Sequence, residues 1–73
     1  MTLLDGKRGK TYIATGISLA NETERRLEVL GLTKNASVLV MNSKRSGAMI
    51  IKVRGTRFAI GRKIAEGIQV DEC

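Results

Sequence analysis

The stretch Met49-Ile50-Ile51-Lys52-Val53-Arg54-Gly55-Thr56-Arg57-Phe58-Ala59-Ile60 decides the fold. Met49, Ile51 and Val53 alternate with Ile50, Lys52 and Arg54, a period of two that describes a strand with one face in a core. A register shift of one residue would carry charges into that core, so the facing is well determined. Gly55-Thr56 reads as a two-residue connection, and Arg57 to Ile60 reads as the returning strand with Phe58 and Ile60 inward. The unit is a β-hairpin.

Working toward the N-terminus, Lys44-Arg45-Ser46-Gly47 is a second hairpin loop. Before it, Ser37 to Met41 is a continuous apolar run too short for a helix, expected as a strand covered on both faces. Tyr12 to Ser18 is rich in β-formers and reads as the first strand, with Gly16 marking a bulge or bend; the polar turn Lys7-Arg8-Gly9-Lys10 precedes it. Between these strands Asn21 stands as an N-cap, with Glu24 where a capping box places its acid, so a helix is predicted over Glu22 to Leu30. Leu27 and Leu30 give it a narrow apolar stripe, Glu22 can pair with Arg26, and Gly31 can turn left-handed after the last helical position. Nine residues make a marginal helix that packing must hold. Toward the C-terminus, a helical turn around Arg62 to Glu66 is followed by a short alternating strand carrying Ile68 and Val70.

Four or five short strands around one small helix give an all-β fold with one short helix. The expected form is a small SH3-like, partly open β-barrel, because closing the sheet is how short chains manage their edges. A split α+β sheet of two hairpins is the alternative, and strand order separates the two. With 73 residues there is room for one core, so residues 1–73 are expected to form a single domain, with a folding free energy of about 4–11 kcal/mol.

Composition narrows the function. The chain has no histidine, and none of its seven carboxylates stands in a recognisable nucleophile arrangement, so it is not expected to be an enzyme. Glu24 and Glu28 share a helix face, but two carboxylates make a thin metal site and read as a solvated face; no metal or cofactor is expected. Gly6-Lys7-Arg8-Gly9-Lys10-Thr11 ends like a phosphate-binding loop, yet it places two residues between its glycines where that motif needs four, and it leads into a strand. It reads as a surface turn. Apolar runs stop at four residues, against the roughly 20 of a membrane-spanning helix. The N-terminus has no signal-peptide pattern, which leaves the acceptor-like triplets at Asn21 and Asn35 without meaning. The single thiol, Cys73, suits a reducing compartment. A cytoplasmic location is expected.

The chain holds 13 basic and 7 acidic residues, for a net charge of +6. From Val29 to Ala65 come Lys34, Lys44, Arg45, Lys52, Arg54, Arg57, Arg62 and Lys63 without one acid. A single-sign surface of this kind attracts acidic partners: nucleic acid, anionic headgroups or an acidic protein surface. For nucleic acid the aromatic platforms are undersupplied, since Tyr12 and Phe58 are the only aromatics and Phe58 is committed to the core.

Taken together, the glycine turn, the capped helix and the hairpin resemble the FeoA family of ferrous iron transport proteins over essentially the whole chain. The pieces that carry the resemblance are Arg26-Leu27 followed by Leu30-Gly31-Leu32, the Val53-Arg54-Gly55 turn, and the ending Ala65, Ile68, Val70. The chain departs from the family pattern at Lys44-Arg45-Ser46-Gly47-Ala48-Met49 and at Gly61. The resemblance implies an SH3-like barrel that is cytosolic, non-enzymatic and associated with FeoB, the membrane ferrous iron transporter with a cytosolic GTPase domain. On that reading the protein docks on the transporter through its helix face and basic hairpin. The expected contacts are Arg25, Arg26, Leu32, Lys44, Arg45, Lys52, Arg54 and Arg57; Leu32 is the candidate exposed apolar anchor, and the alternative is that it completes the hydrophobic contact at the C-terminal end of the helix. Self-association is left open, and a free-standing basic module that grips RNA phosphates is the rival function.

Overall fold

The computed structural model describes all residues, 1–73. Five strands, β1 (Thr11–Ile17), β2 (Ser37–Ser43), β3 (Met49–Val53), β4 (Thr56–Ile60) and β5 (Ile68–Glu72), form one antiparallel sheet in the order β4-β3-β2-β1-β5. Helix α1 (Asn21–Val29) connects β1 to β2, and the short α2 (Arg62–Glu66) connects β4 to β5. The sheet curls without closing, so β4 and β5 remain as edges. Consecutive strands from β1 to β4 are neighbours, and this order excludes the split sheet of two separate hairpins.

Each strand buries one face. Tyr12 stands opposite Val38, Val40 opposite Ile51, Ile51 opposite Phe58, and Ala14 opposite Val70. With Leu3, Met49, Val53, Ile60 and Ile68 these residues build the core, Phe58 packing half-buried at its margin. The Tyr12 hydroxyl accepts a hydrogen bond from the Lys7 backbone N–H at 2.8 Å, so the one buried polar side chain is satisfied. Register shifts occur between Ala14 and Gly16, as the glycine suggested, and between Val40 and Asn42. The β2 strand is not covered on both faces: Val38 and Val40 are buried, while Leu39 and Met41 on the outer side are half-covered. Alternation was masked there because the outer positions are also apolar.

Other boundaries moved for local reasons. The hairpin turn is Arg54-Gly55 rather than Gly55-Thr56, since Val53 pairs directly with Thr56. Both turn residues have positive φ, 51° and 82°, the conformation of a two-residue turn matched to strand twist. Helix α1 begins at Asn21, with Ala20 at the N-cap and no side-chain cap bond, so the expected Asn21 cap is not made. The other end follows the expectation closely. Gly31 has φ 97°, its N–H reaches the Glu28 carbonyl at 2.9 Å, and the Leu32 N–H reaches the Leu27 carbonyl at 2.9 Å. This pair of bonds terminates the helix and brings Leu32 back against Leu27. Of the expected stripe only Leu27 is in the core; Leu30 is half-buried. A 3-10 turn at Leu3–Asp5, unmarked by any sequence period, puts Leu3 fully inside. No helix is long and apolar enough to cross a membrane.

Candidate functional site

The register of the sheet decides which basic side chains come together. On the outer face Leu39, Lys52 and Arg57 form one row across β2, β3 and β4, and Asn42, Ile50 and Ala59 form the next. Lys52 therefore stands directly opposite Arg57, where Cβ atoms on antiparallel strands are about 4.5–5.5 Å apart and like charges destabilise the pairing. Neither has a carboxylate partner, because the two ion pairs in the protein, Glu22 with Arg26 and Arg62 with Glu66, both lie on the helices. A shallow depression lined by Met41, Lys52, Gly55 and Arg57 opens here. Beside it lies a more apolar one, where Met41, Ile50, Phe58 and Ala59 meet Arg57.

Arg54 joins this face to helix α1. A Cβ placed on Gly31 would lie 3.0 Å from the Arg54 Cδ, so the arginine stem lies across the C-terminal end of the helix. The partial negative charge of a helix C-terminus favours a cation there. Arg25 and Arg26 are exposed on the helix and line a third depression with Asn21, Glu22 and Val29. Arg26 holds Glu22 at 3.6 Å with both side chains about four-fifths in solvent, at 78% and 84%, which leaves the bond weak and screened.

The eight expected contact residues thus do not form one patch. Lys52, Arg54 and Arg57 lie together, Arg54 connecting them toward Arg25 and Arg26. Lys44 and Arg45 sit in the loop at the opposite end of β3, roughly 17 Å away for a five-residue strand, next to Arg62, whose side chain lies against Gly47. Leu32 is a correction: it is 0% exposed, buried against Leu27 by the turn that ends α1, and offers no surface to a partner. The exposed apolar side chain near the helix end is Val29, 87% in solvent. The sequence carried its signal, since Val29 is two positions from Leu27 and so points away from the core face.

The surface offers cations and apolar ground rather than reaction chemistry. No three His, Cys, Asp or Glu side chains come together. The Lys7-Arg8-Gly9-Lys10 segment is a surface turn closed by a bond from the Lys10 N–H to the Lys7 carbonyl at 3.1 Å. Tyr12 is buried, so no fully exposed aromatic side chain remains for stacking on a base.

The FeoA domain family matches residues 1–72. The chain belongs to the FeoA family. A crystal structure of the iron uptake regulatory protein FeoA superposes on it with a TM-score of 0.91 at 32% identity, over 100% of this chain and 97% of that one. The solution structure of FeoA from Chlorobium tepidum gives 0.91 at 29% identity, over 99% of this chain and 70% of that one. FeoA of Stenotrophomonas maltophilia in complex with zinc gives 0.81 at 28% identity, over 97% and 89%, and is described as a prokaryotic SH3 domain protein. A comparison with curated proteins gives no match. The curled, open five-stranded sheet is thus the SH3-like fold, with FeoA proteins as its neighbours in both sequence and structure.

Proposed function

We propose that this FeoA-family chain is an accessory protein of ferrous iron uptake that docks on the cytosolic, GTPase-bearing region of a FeoB-type transporter and modulates or scaffolds it. The observation that carries the reading is the row Lys52–Arg57, two cations opposed across a sheet without any acid to neutralise them, inside a segment free of acids from Val29 to Ala65. Such a pair costs stability in the isolated protein and is relieved by an acidic surface. Family membership supports iron transport as the setting, and the Stenotrophomonas maltophilia relative is described as a candidate activating factor of ferrous iron transport.

The test is binding of the full chain to the isolated cytosolic region of the transporter from the same cell, read by surface-immobilised kinetics. Wild type binds at low salt. The double variant Lys52→Glu, Arg57→Glu, which converts a repulsive row into another exposed one, keeps the fold and loses at least tenfold in affinity. A matching Lys44→Glu, Arg45→Glu variant reports whether the far end of β3 takes part. No binding of the wild type at low salt would refute the docking, and tighter binding to a short single-stranded RNA than to the transporter domain would transfer the surface to nucleic acid.

A further inference from the structure

The two edges of the sheet are treated differently. On β5 the N-terminal segment covers the outer side: Thr2 bridges Gln69, and the Val70 N–H donates to the Met1 carbonyl at 2.9 Å. On β4 nothing does so. A two-residue hairpin makes Val53–Thr56, Ile51–Phe58 and Met49–Ile60 the hydrogen-bonded pairs, so the N–H and C=O groups of Arg57 and Ala59 point away from β3. These four groups make no hydrogen bond to any backbone or side chain, and both residues are exposed. An open edge of this kind is a template for another strand.

We propose that β4 accepts an extended segment of a protein partner as a sixth, antiparallel strand, and that the segment carries an acid preceded by two apolar residues in a fixed register. The side chains beside the edge set that register. A residue paired with Arg57 joins the row Leu39–Lys52–Arg57, where a carboxylate resolves the unneutralised cation pair. The residue paired with Ala59 lies two positions away on the same outer face, over the depression formed by Met41, Ile50 and Ala59, and is apolar. Between them, the residue paired with Phe58 lies on the inner face and completes the cover of that half-buried ring, so it is apolar too. In an antiparallel strand the segment reads apolar-apolar-acid. Main-chain bonds supply affinity and these side-chain positions supply selection. A second copy of this chain is the wrong occupant: pairing two β4 edges brings two Arg57-bearing rows together on molecules of +6 each.

The proposal rests on the docking reading only for the identity of the protein that carries the segment, and the experiment separates the two. The ¹⁵N-labelled full chain is titrated with acetyl-Thr-Val-Val-Glu-Thr-amide at millimolar concentration, with the same peptide carrying Lys in place of Glu as control, and separately with the transporter's cytosolic region. Expected are amide shifts and slowed hydrogen exchange at Arg57 and Ala59 with the glutamate peptide and with the cytosolic region, and at least fivefold weaker effects with the lysine peptide. Ala59→Pro removes one outward N–H while leaving the β3 ladder whole, and proline is tolerated at such an edge position. The variant keeps its Tm within a few degrees and loses at least tenfold in affinity for both ligands.

Binding of the cytosolic region with Arg57 and Ala59 unprotected, and unchanged in Ala59→Pro, would overturn the edge while leaving the docking intact. Protection by the glutamate peptide without binding of the cytosolic region would keep the edge and remove the transporter as its owner. Protection that appears without any ligand as protein concentration rises would overturn the choice of partner in favour of self-pairing.

Discussion

Leu32 and Gly31 show how much a single position carries. Leu32 is wholly buried because the bond from its N–H to the Leu27 carbonyl folds the chain back over the helix end, and that bond requires the positive φ of Gly31. Leu32→Ala removes a core side chain, which costs about 2–5 kcal/mol in proteins of this kind, a large share of a total stability of about 4–11 kcal/mol. The expected result in urea is a midpoint lowered by about a fifth or more with the m-value unchanged. Residual binding per folded molecule is expected to equal wild type, since the buried Leu32 offers no surface to a partner. A Leu32→Ala protein of wild-type stability that dissociates faster from its partner would restore the residue as a surface anchor. Gly31→Ala acts through the backbone: a residue with a Cβ at φ 97° costs about 1–3 kcal/mol, and the new methyl also meets the Arg54 stem at 3.0 Å.

At the scale of the element, helix α1 is secured at its C-terminal end and open at its N-terminal end. Ala20 occupies the N-cap without a side-chain bond, so Asn21→Ala removes no cap and is expected to shift Tm by less than a degree or two, against several degrees for Gly31→Ala. Thermal melts of the two variants side by side check this, and a loss on Asn21→Ala equal to that of a genuine cap, about 1 kcal/mol, would contradict the placement. The same contrast shows what the sequence makes legible. Strand alternation in Met49 to Val53, the glycine stop at Gly31 and the bulge at Gly16 each rest on a rule local to a few residues, and they recur in the structure. The N-cap was less legible because Ala20, Asn21 and Glu22 all admit a start within one residue, and side-chain preference does not fix which residue keeps extended φ and ψ. The surface was less legible still. Lys44 and Arg45 are close to Lys52 and Arg54 in sequence but lie at the other end of a strand, while Arg54 reaches Gly31, more than twenty positions away, only because the hairpin folds onto the helix.

Over the whole molecule, charge is the property that acts at a distance. The net charge of +6 comes with acids confined to the flanks of an acid-free segment, so the outer face of β2, β3 and β4 presents one sign to solvent. The side chains concerned are exposed, and their field reaches about one Debye length, roughly 10 Å at 0.1 M salt and 3 Å at 1 M. An acidic partner is therefore drawn in faster at low salt, whereas the lifetime of the complex depends on short-range contacts such as strand pairing and apolar cover. Two separable effects follow. Raising salt from about 0.05 M to 0.5 M is expected to slow association of the wild type with the transporter's cytosolic region by tenfold or more while leaving dissociation within about threefold, and Lys52→Glu, Arg57→Glu is expected to remove most of that salt dependence. Ala59→Pro is expected to do the reverse, shortening the lifetime of the complex while its association rate keeps the full dependence on salt. Stopped-flow association and surface-immobilised dissociation, measured on the three proteins across the salt series, read both quantities. An association rate indifferent to salt and to charge reversal would remove steering from the mechanism, and a dissociation rate that Ala59→Pro leaves unchanged would place the lasting contacts elsewhere on the molecule.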